Sequence, residues 1–297
     1  MPAPAARVSP FGHACIFAYG GEMNGADFKT VLAAVDLSEL SGHALRYAAL
    51  VARCTSSPLT AVYSNWFEAP PYFTSSQLQE LKQAFRNSIR QAETSLKRFA
   101  LPITGEAAVD FRVVDDTPAE AILKTAEAVE AGLIVMGTHG RTGYNRWLLG
   151  SVAERVLRES PVPVLTVRSA PPERLGRILV PVEDTEISRH ALETAVGLAA
   201  CSGAEITVFH VGGSSHPIAN LCAWVPATVR AQCQIRELTK EDGDAASGVI
   251  ELAASGAYDL IVLGAPRRKF FGGMVMGATA LRTIRHAQCP VLTVGAA

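Results

Sequence analysis

The chain of 297 residues is about twice the length of an ordinary single domain, so two domains are expected from length alone. Its 48% hydrophobic and 19% charged residues and net charge of -1 are those of an ordinary globular protein, with no long-range field to hold nucleic acid or an anionic membrane surface. No stretch approaches the ~18 uncharged apolar residues of a membrane span.

The first 22 residues carry one Arg and a short apolar patch broken by glycine, without the basic start and cleavage region of a secretory signal. They read as a disordered extension, taken here as residues 1–28, or as a start assigned upstream of Met23, in a cytoplasmic protein. From residue 29 onward, short apolar runs alternate with longer amphipathic ones. Strands are expected at Thr30–Val35, Leu59–Tyr63, Ala107–Val113, Leu133–Gly137 and Val164–Val167. Helices are expected at Ser38–Ala52, Ser76–Phe99, Pro118–Ala131 and Ser151–Glu159. Leu78, Leu81, Phe85, Ile89, Ala92, Leu96 and Phe99 make one apolar stripe at helical spacing. Pro118 suits a first helical turn, where a missing N–H costs little. Runs such as Leu-Ile-Val-Met are apolar on consecutive residues, as parallel strands covered on both faces are.

After a proline-rich link at residues 169–176, the pattern starts again. Ser41, His43, Ala44, Leu45 and Ala48 recur as Ser188, His190, Ala191, Leu192 and Ala195 at a constant offset of 147. Residues 163–167, PVLTV, recur letter for letter at 290–294, where the offset is 127. The second copy has therefore lost 20 residues in its middle, where Gly212 to Val229 stands in place of a long second helix. The alternation predicts two tandem doubly wound α/β sheets of five parallel strands, at residues 29–168 and 177–297.

The loop with chemistry follows the fourth strand of the first copy: Gly137-Thr-His-Gly140, nine residues, then Gly150-Ser151 opening a helix. Glycines let backbone approach a ligand closely and reach positive φ where needed. Their N–H groups, with those of a helix N-terminus, suit a polyphosphate, and Ser151 adds a hydroxyl. Asp36 ends the first strand and lines the crevice at the carboxyl ends of the strands, placed to accept from an adenine amino group or a ribose hydroxyl.

Asp36, the G-x-x-G-x9-G-S loop and the closing PVPVLTV strand together resemble the universal stress protein family, twice over, from about Lys29 to Val294. The resemblance implies a Rossmann-like fold of the adenine nucleotide alpha hydrolase type. It also implies ATP, with or without Mg, as ligand, and pairing through the last strand so that the two halves form an internal pseudo-dimer. The ATP-binding set it implies is Ala34, Val35, Asp36, Ser64, Met136, Gly137, Gly140, Gly150, Ser151 and Val152. The second copy departs from it. In this degenerate second site, to which Pro181 also belongs, Gly264 and Gly277 keep the glycines, but Glu183 replaces Asp36, Arg267 replaces Gly140 and Ala278 replaces Ser151. That site is expected to bind ATP weakly or not at all.

Without a Gly-Lys-Ser/Thr loop, the chain is expected to bind nucleotide with slow hydrolysis at most. His139 reads as a solvent-side loop residue, His43 and His190 as packing or capping residues, and Asp115-Asp116 as a turn before a helix. The cysteines at 15, 54, 201, 222, 233 and 289 form no CxxC pair and read as buried thiols of a reducing compartment. A mixed zinc site from His216, Cys222 and Cys233 is a weaker reading. The leading functional reading is an ATP-binding stress-response module that pairs with itself or an unknown protein, with a homodimer of tandem chains in reach. The alternative is a scaffold for an apolar or lipid-like ligand near Leu221, Cys222, Ala223, Trp224 and Val225. An enzyme of the broader nucleotide hydrolase-like group is a third, weaker reading.

Overall fold

A computed structural model describes residues 28–66, 75–105, 107–140, 149–212, 223–225, 230, 233–256, 258–270 and 273–295; for residues 75–86, 267–270 and 273–275 it describes the backbone alone. The expectations for the N-terminal extension, His216, Leu221 and Cys222 fall outside these residues.

The first half runs β1 (Val31–Val35), α1 (Glu39–Thr55), β2 (Leu59–Ser64), α2 (Ser75–Thr104), β3 (Val109–Val114), α3 (Pro118–Ala128), β4 (Leu133–Gly137), α4 (Ser151–Glu159) and β5 (Val164–Val167). The second runs β6 (Arg177–Pro181), α5 (Glu186–Ser202), β7 (Glu205–Val211), β8 (Ile235–Lys240), α6 (Ala245–Gly256), β9 (Leu260–Gly264), β10 (Arg267–Phe270), β11 (Gly273–Met276), α7 (Ala278–His286) and β12 (Val291–Val294). The strand order β3-β2-β1-β4-β5-β12-β9-β6-β7-β8 is one ten-stranded sheet. It is parallel within each half and antiparallel at the single seam, where Val291, Leu292 and Thr293 face Thr166, Leu165 and Val164. The two five-stranded sheets thus fuse through their last strands, which makes the chain an internal pseudo-dimer.

Buried apolar side chains form two layers, and each runs through both halves. Val31, Ala33 and Val35 face one layer with α1 and α5, while Leu32 and Ala34 face the other with α3, α4 and α7, as the period of two along a strand requires. All five residues of β1 are buried, which explains its unbroken apolar run.

Helix α2 extends past Phe99 to Thr104 in spite of Pro102. Packing outweighs the lost hydrogen bond there: a Cβ on Gly42 of α1 would lie 3.3 Å from Phe99 and 3.4 Å from Ile103, so α1 and the end of α2 are in close contact. Helix α3 stops three residues short of expectation, because Glu130 takes φ 47 and turns the chain into β4. The hairpin β10–β11, paired Arg267↔Met276 to Phe270↔Gly273, was not anticipated, although Gly272-Gly273 after Lys-Phe-Phe is a hairpin signal.

The thiol reading needs correction at two positions. Cys54 and Cys201 form a disulfide with Cα atoms 5.4 Å apart, joining the last turns of α1 and α5. Cys233 and Cys289 are free thiols, and burial pushes the Cys289 thiol up to about 12. Among the described residues no cluster of His, Cys, Asp and Glu could hold a metal ion, and no helix is long and apolar enough to cross a membrane. Val225 is fully buried and Trp224 packs on the core, so these two help to cover the second sheet instead of lining an open groove.

Candidate functional site

Strands β1 and β4 are neighbours in the sheet, whereas their connections leave to opposite sides: β1 leads through α1 to β2, β4 through α4 to β5. The carboxyl ends of β1 and β4 therefore open a crevice at the switch point of the first half. A cavity of about 330 Å³ occupies it. Ala34, Val35, Asp36, Ser64, Met136, Gly137, Gly140, Gly150, Ser151 and Val152 all line this one cavity.

Sequence reasoning missed part of the wall. Ser41, Val62, Tyr63, Pro118, Ala121, Ile122 and Ala153 line the cavity as well. Pro118, Ala121 and Ile122 come from the first turn and a half of α3, which meets the end of β2 through Val62 and Tyr63. Their signal in the sequence was a proline-started helix following the third strand, but only the sheet order places it over β2. His139 also lines the cavity and is half-buried, with Nδ1 3.1 Å from Thr138 Oγ1, so its reading as a solvent-side residue is corrected.

The acidic group is held in place by the start of α1. Ser38 donates its backbone N–H to Asp36 Oδ1 at 3.0 Å and its hydroxyl to the same oxygen at 2.5 Å. The same hydroxyl accepts from Ser41 N at 3.2 Å and caps α1. Between them Leu37 sits at φ 65, a conformation a branched side chain rarely adopts. The cost of that turn is met by packing of Leu37 on the core and by the two bonds that fix the carboxylate. The Ser64 hydroxyl donates to the Asp116 carbonyl at 2.6 Å, tying β2 to the start of α3. The Asp116 carboxyl, at the same turn, is held down to about 2, first by a hydrogen bond with Glu120 and next by the Lys124 ammonium.

The glycines act through closeness, not through φ. Gly150 has φ -66, and neither Gly137 nor Gly140 adopts a positive φ. A Cβ on Gly140 would lie 2.9 Å from Asp36 Oδ2, and one on Gly150 3.3 Å from the His139 and Thr138 backbone. Gly137 is needed by the fold, since its Cβ would meet Leu40 of α1 at 3.0 Å. Its counterpart Gly264 meets Ile187, the counterpart of Leu40, at the same 3.0 Å. These two glycines survive in both halves because helix and strand touch there, whatever the ligand.

Helix α4 begins at the cavity with no side-chain cap on Gly150. The first N–H groups of a helix have no partner inside it, so those of Ser151, Val152 and Ala153 present a partial positive charge at the cavity wall. Part of the wall is apolar, formed by Val62, Ile122 and Met136. The start of α4 suits an anion, the apolar part of the wall suits a flat ring, and Asp36 adds a fixed carboxylate.

The second half diverges in backbone as well as in side chains. Thr138 and Ala265 occupy equivalent places, since Thr138 N donates to Val167 O and Ala265 N to Val294 O. The loop then closes differently: Gly150 N donates to Thr138 O, whereas Gly277 N donates to Pro266 O, one residue further along. Arg267 opens a hairpin strand whose backbone pairs with Met276.

The universal stress protein family model matches residues 27–168 and 226–295. A universal stress protein of Thermus aquaticus, from the QAH/OAS sulfhydrylase 3′ region, is 34% identical over 141 residues, covering 48% of this chain and 99% of its own. A universal stress protein of Mycolicibacterium smegmatis is 25% identical over 290 residues, covering 89% of this chain and 96% of its own. Among solved structures, a universal stress protein of Archaeoglobus fulgidus shares the fold with TM-score 0.68 at 19% identity, over 90% of this chain and 98% of its own. With the family matched over most of the chain, and in both copies, the protein belongs to the universal stress protein family.

Proposed function

We propose that the protein is a stress-response module that binds ATP, or a related adenine nucleotide, in its first half only. The observation that carries this reading is the uncapped start of α4, set in the same cavity as the pinned Asp36. The N–H groups of Ser151, Val152 and Ala153, together with the open backbone at Gly140, would hold the phosphates. Asp36 would accept from the adenine amino group or a ribose hydroxyl, with the ring between Val62, Ile122 and Met136. Bound ATP supplies a state that depends on the cell's nucleotide pool; the residues here bind and orient it, and turnover is slow at most.

The second half is proposed to serve pairing and not nucleotide binding. Its loop closes one residue out of register and is drawn into a hairpin. Calorimetry with ATP on the full chain is expected to show one site per chain, and acid extraction of the purified protein to release an adenine nucleotide. Gly140→Arg, which imports the second copy's residue, is expected to abolish binding. A protein that purifies empty and gives no heat with ATP overturns the reading.

A further inference from the structure

Cys54 and Cys201 stand at equivalent places in the two copies, since their separation of 147 is the offset of the repeat. Each lies in the last turn of the first helix of its half. The disulfide therefore bridges the pseudo-twofold axis and ties the halves on the α1–α5 face. The two residues are only 7% and 5% exposed. A cavity of about 270 Å³ nevertheless reaches both, walled by Leu50, Val51, Leu175 and Gly203. Arg53, Arg174 and Glu173 line it too and are exposed, two cations against one carboxylate.

From this arrangement we infer that the disulfide is a thiol-exchange site for a small anionic thiol, which opens and closes the covalent tie between the two halves. A cavity of this size admits the thiol end of a tripeptide-sized molecule but not the broad active face of a protein reductase. The arginines attract a carboxylate-bearing thiol, and the apolar wall leaves the S–S bond as the reactive group. The thiolate attacks one sulfur, the S–S bond breaks, and its electron pair leaves on the other sulfur as a thiolate that takes a proton from water. A second small thiolate then attacks the mixed disulfide, releasing the oxidised small disulfide and leaving both cysteines reduced. The Leu198 carbonyl lies 3.3 Å from Cys201 Sγ and 3.9 Å from Cys54 Sγ, an acceptor ready for either S–H once the bond is open.

The test uses the full chain, purified without reductant, exposed to reduced glutathione and quenched with N-ethylmaleimide for intact and peptide mass analysis. A glutathione adduct mapping to Cys54 or Cys201, followed by the doubly alkylated form, is the expected result. Reversing the charge at both Arg53 and Arg174 (R53E and R174E) should slow exchange with glutathione on the order of tenfold while sparing cysteamine, whose attacking thiolate is balanced by its own ammonium, because steering acts on net charge. Changing both arginines to lysine should keep the glutathione rate. Equal slowing with both thiols, opening by thioredoxin alone, or free alkylation of Cys54 and Cys201 before any thiol is added would each overturn the proposal.

Discussion

Thr166 and Thr293 exchange equivalent hydrogen bonds across the seam of the sheet: Thr166 Oγ1 donates to the Val291 carbonyl at 3.1 Å, and Thr293 Oγ1 to the Val164 carbonyl at 3.2 Å. Both hydroxyls are buried, and the four residues map onto one another in pairs at the repeat offset of 127. The seam also carries unsymmetrical ties. Arg168 donates to the Ile284 and Arg285 carbonyls at the end of α7, and the Tyr47 hydroxyl reaches the Asp259 carbonyl at 3.5 Å. Changing Thr166 to Val keeps the shape and removes one bond, as does Thr293→Val. Each is expected to cost about 1 kcal/mol in denaturant unfolding, with ATP affinity unchanged. A loss of nucleotide affinity with either variant would show that the seam is coupled to the first site.

Ser38 has two tasks, capping α1 and fixing Asp36. Ser38→Ala is expected to lower stability by about 1 kcal/mol, the usual loss of a cap. It should also weaken ATP binding, since Asp36 is then held by fewer bonds. Calorimetry and denaturant unfolding on the same preparation separate the two effects. A stability loss with wild-type affinity would remove Asp36 placement from the account.

Restoring the small residues of the loop in the second half, with Arg267→Gly and Ala278→Ser together, is expected to leave that half without measurable ATP affinity. The Gly277 N–H is already bound to the Pro266 carbonyl, one residue out of step with the Gly150–Thr138 closure. Titration of the double variant in a Gly140→Arg background isolates the second site. Micromolar binding there would show that side chains alone silence it.

The Asp116 carboxyl is held down to about 2, first by its hydrogen bond with Glu120 and then by Lys124. A carboxyl with a lower pKa in the folded than in the unfolded chain stabilises the fold above its unfolded value of about 4, and that contribution is lost as pH falls toward 2. Lys124→Ala should therefore move the Asp116 titration upward in a carbon-13 NMR experiment. An unchanged midpoint would remove the ammonium from the explanation.

Much of the architecture was legible before the structure. The consecutive apolar residues of β4 and β9 announced parallel strands, and the offset between the two PVLTV runs announced the repeat. The ten residues that the family resemblance implied for one site share one cavity, because the sheet order sets the ends of β1, β2 and β4 beside the start of α4. Local reasoning failed where a distant segment decides. The expected helix ended at Phe99, whereas α2 runs on through Pro102 to Thr104, where Ile103 packs against Gly42 of α1. Gly137 lines the cavity as expected, but its close contact with Leu40 of α1 is a packing reason that the local sequence does not show.

The sequence by itself determined the doubly wound class, the duplication and the asymmetry between Gly140 and Arg267, since each is written in neighbouring residues or in their repetition. Only the tertiary structure decided that Cys54 meets Cys201. Their equal places in the repeat are visible in the chain, but equal places meet only near a twofold axis, where a residue faces its own counterpart. The antiparallel pairing of β5 with β12 creates that axis, and no local pattern of apolar residues records where it runs.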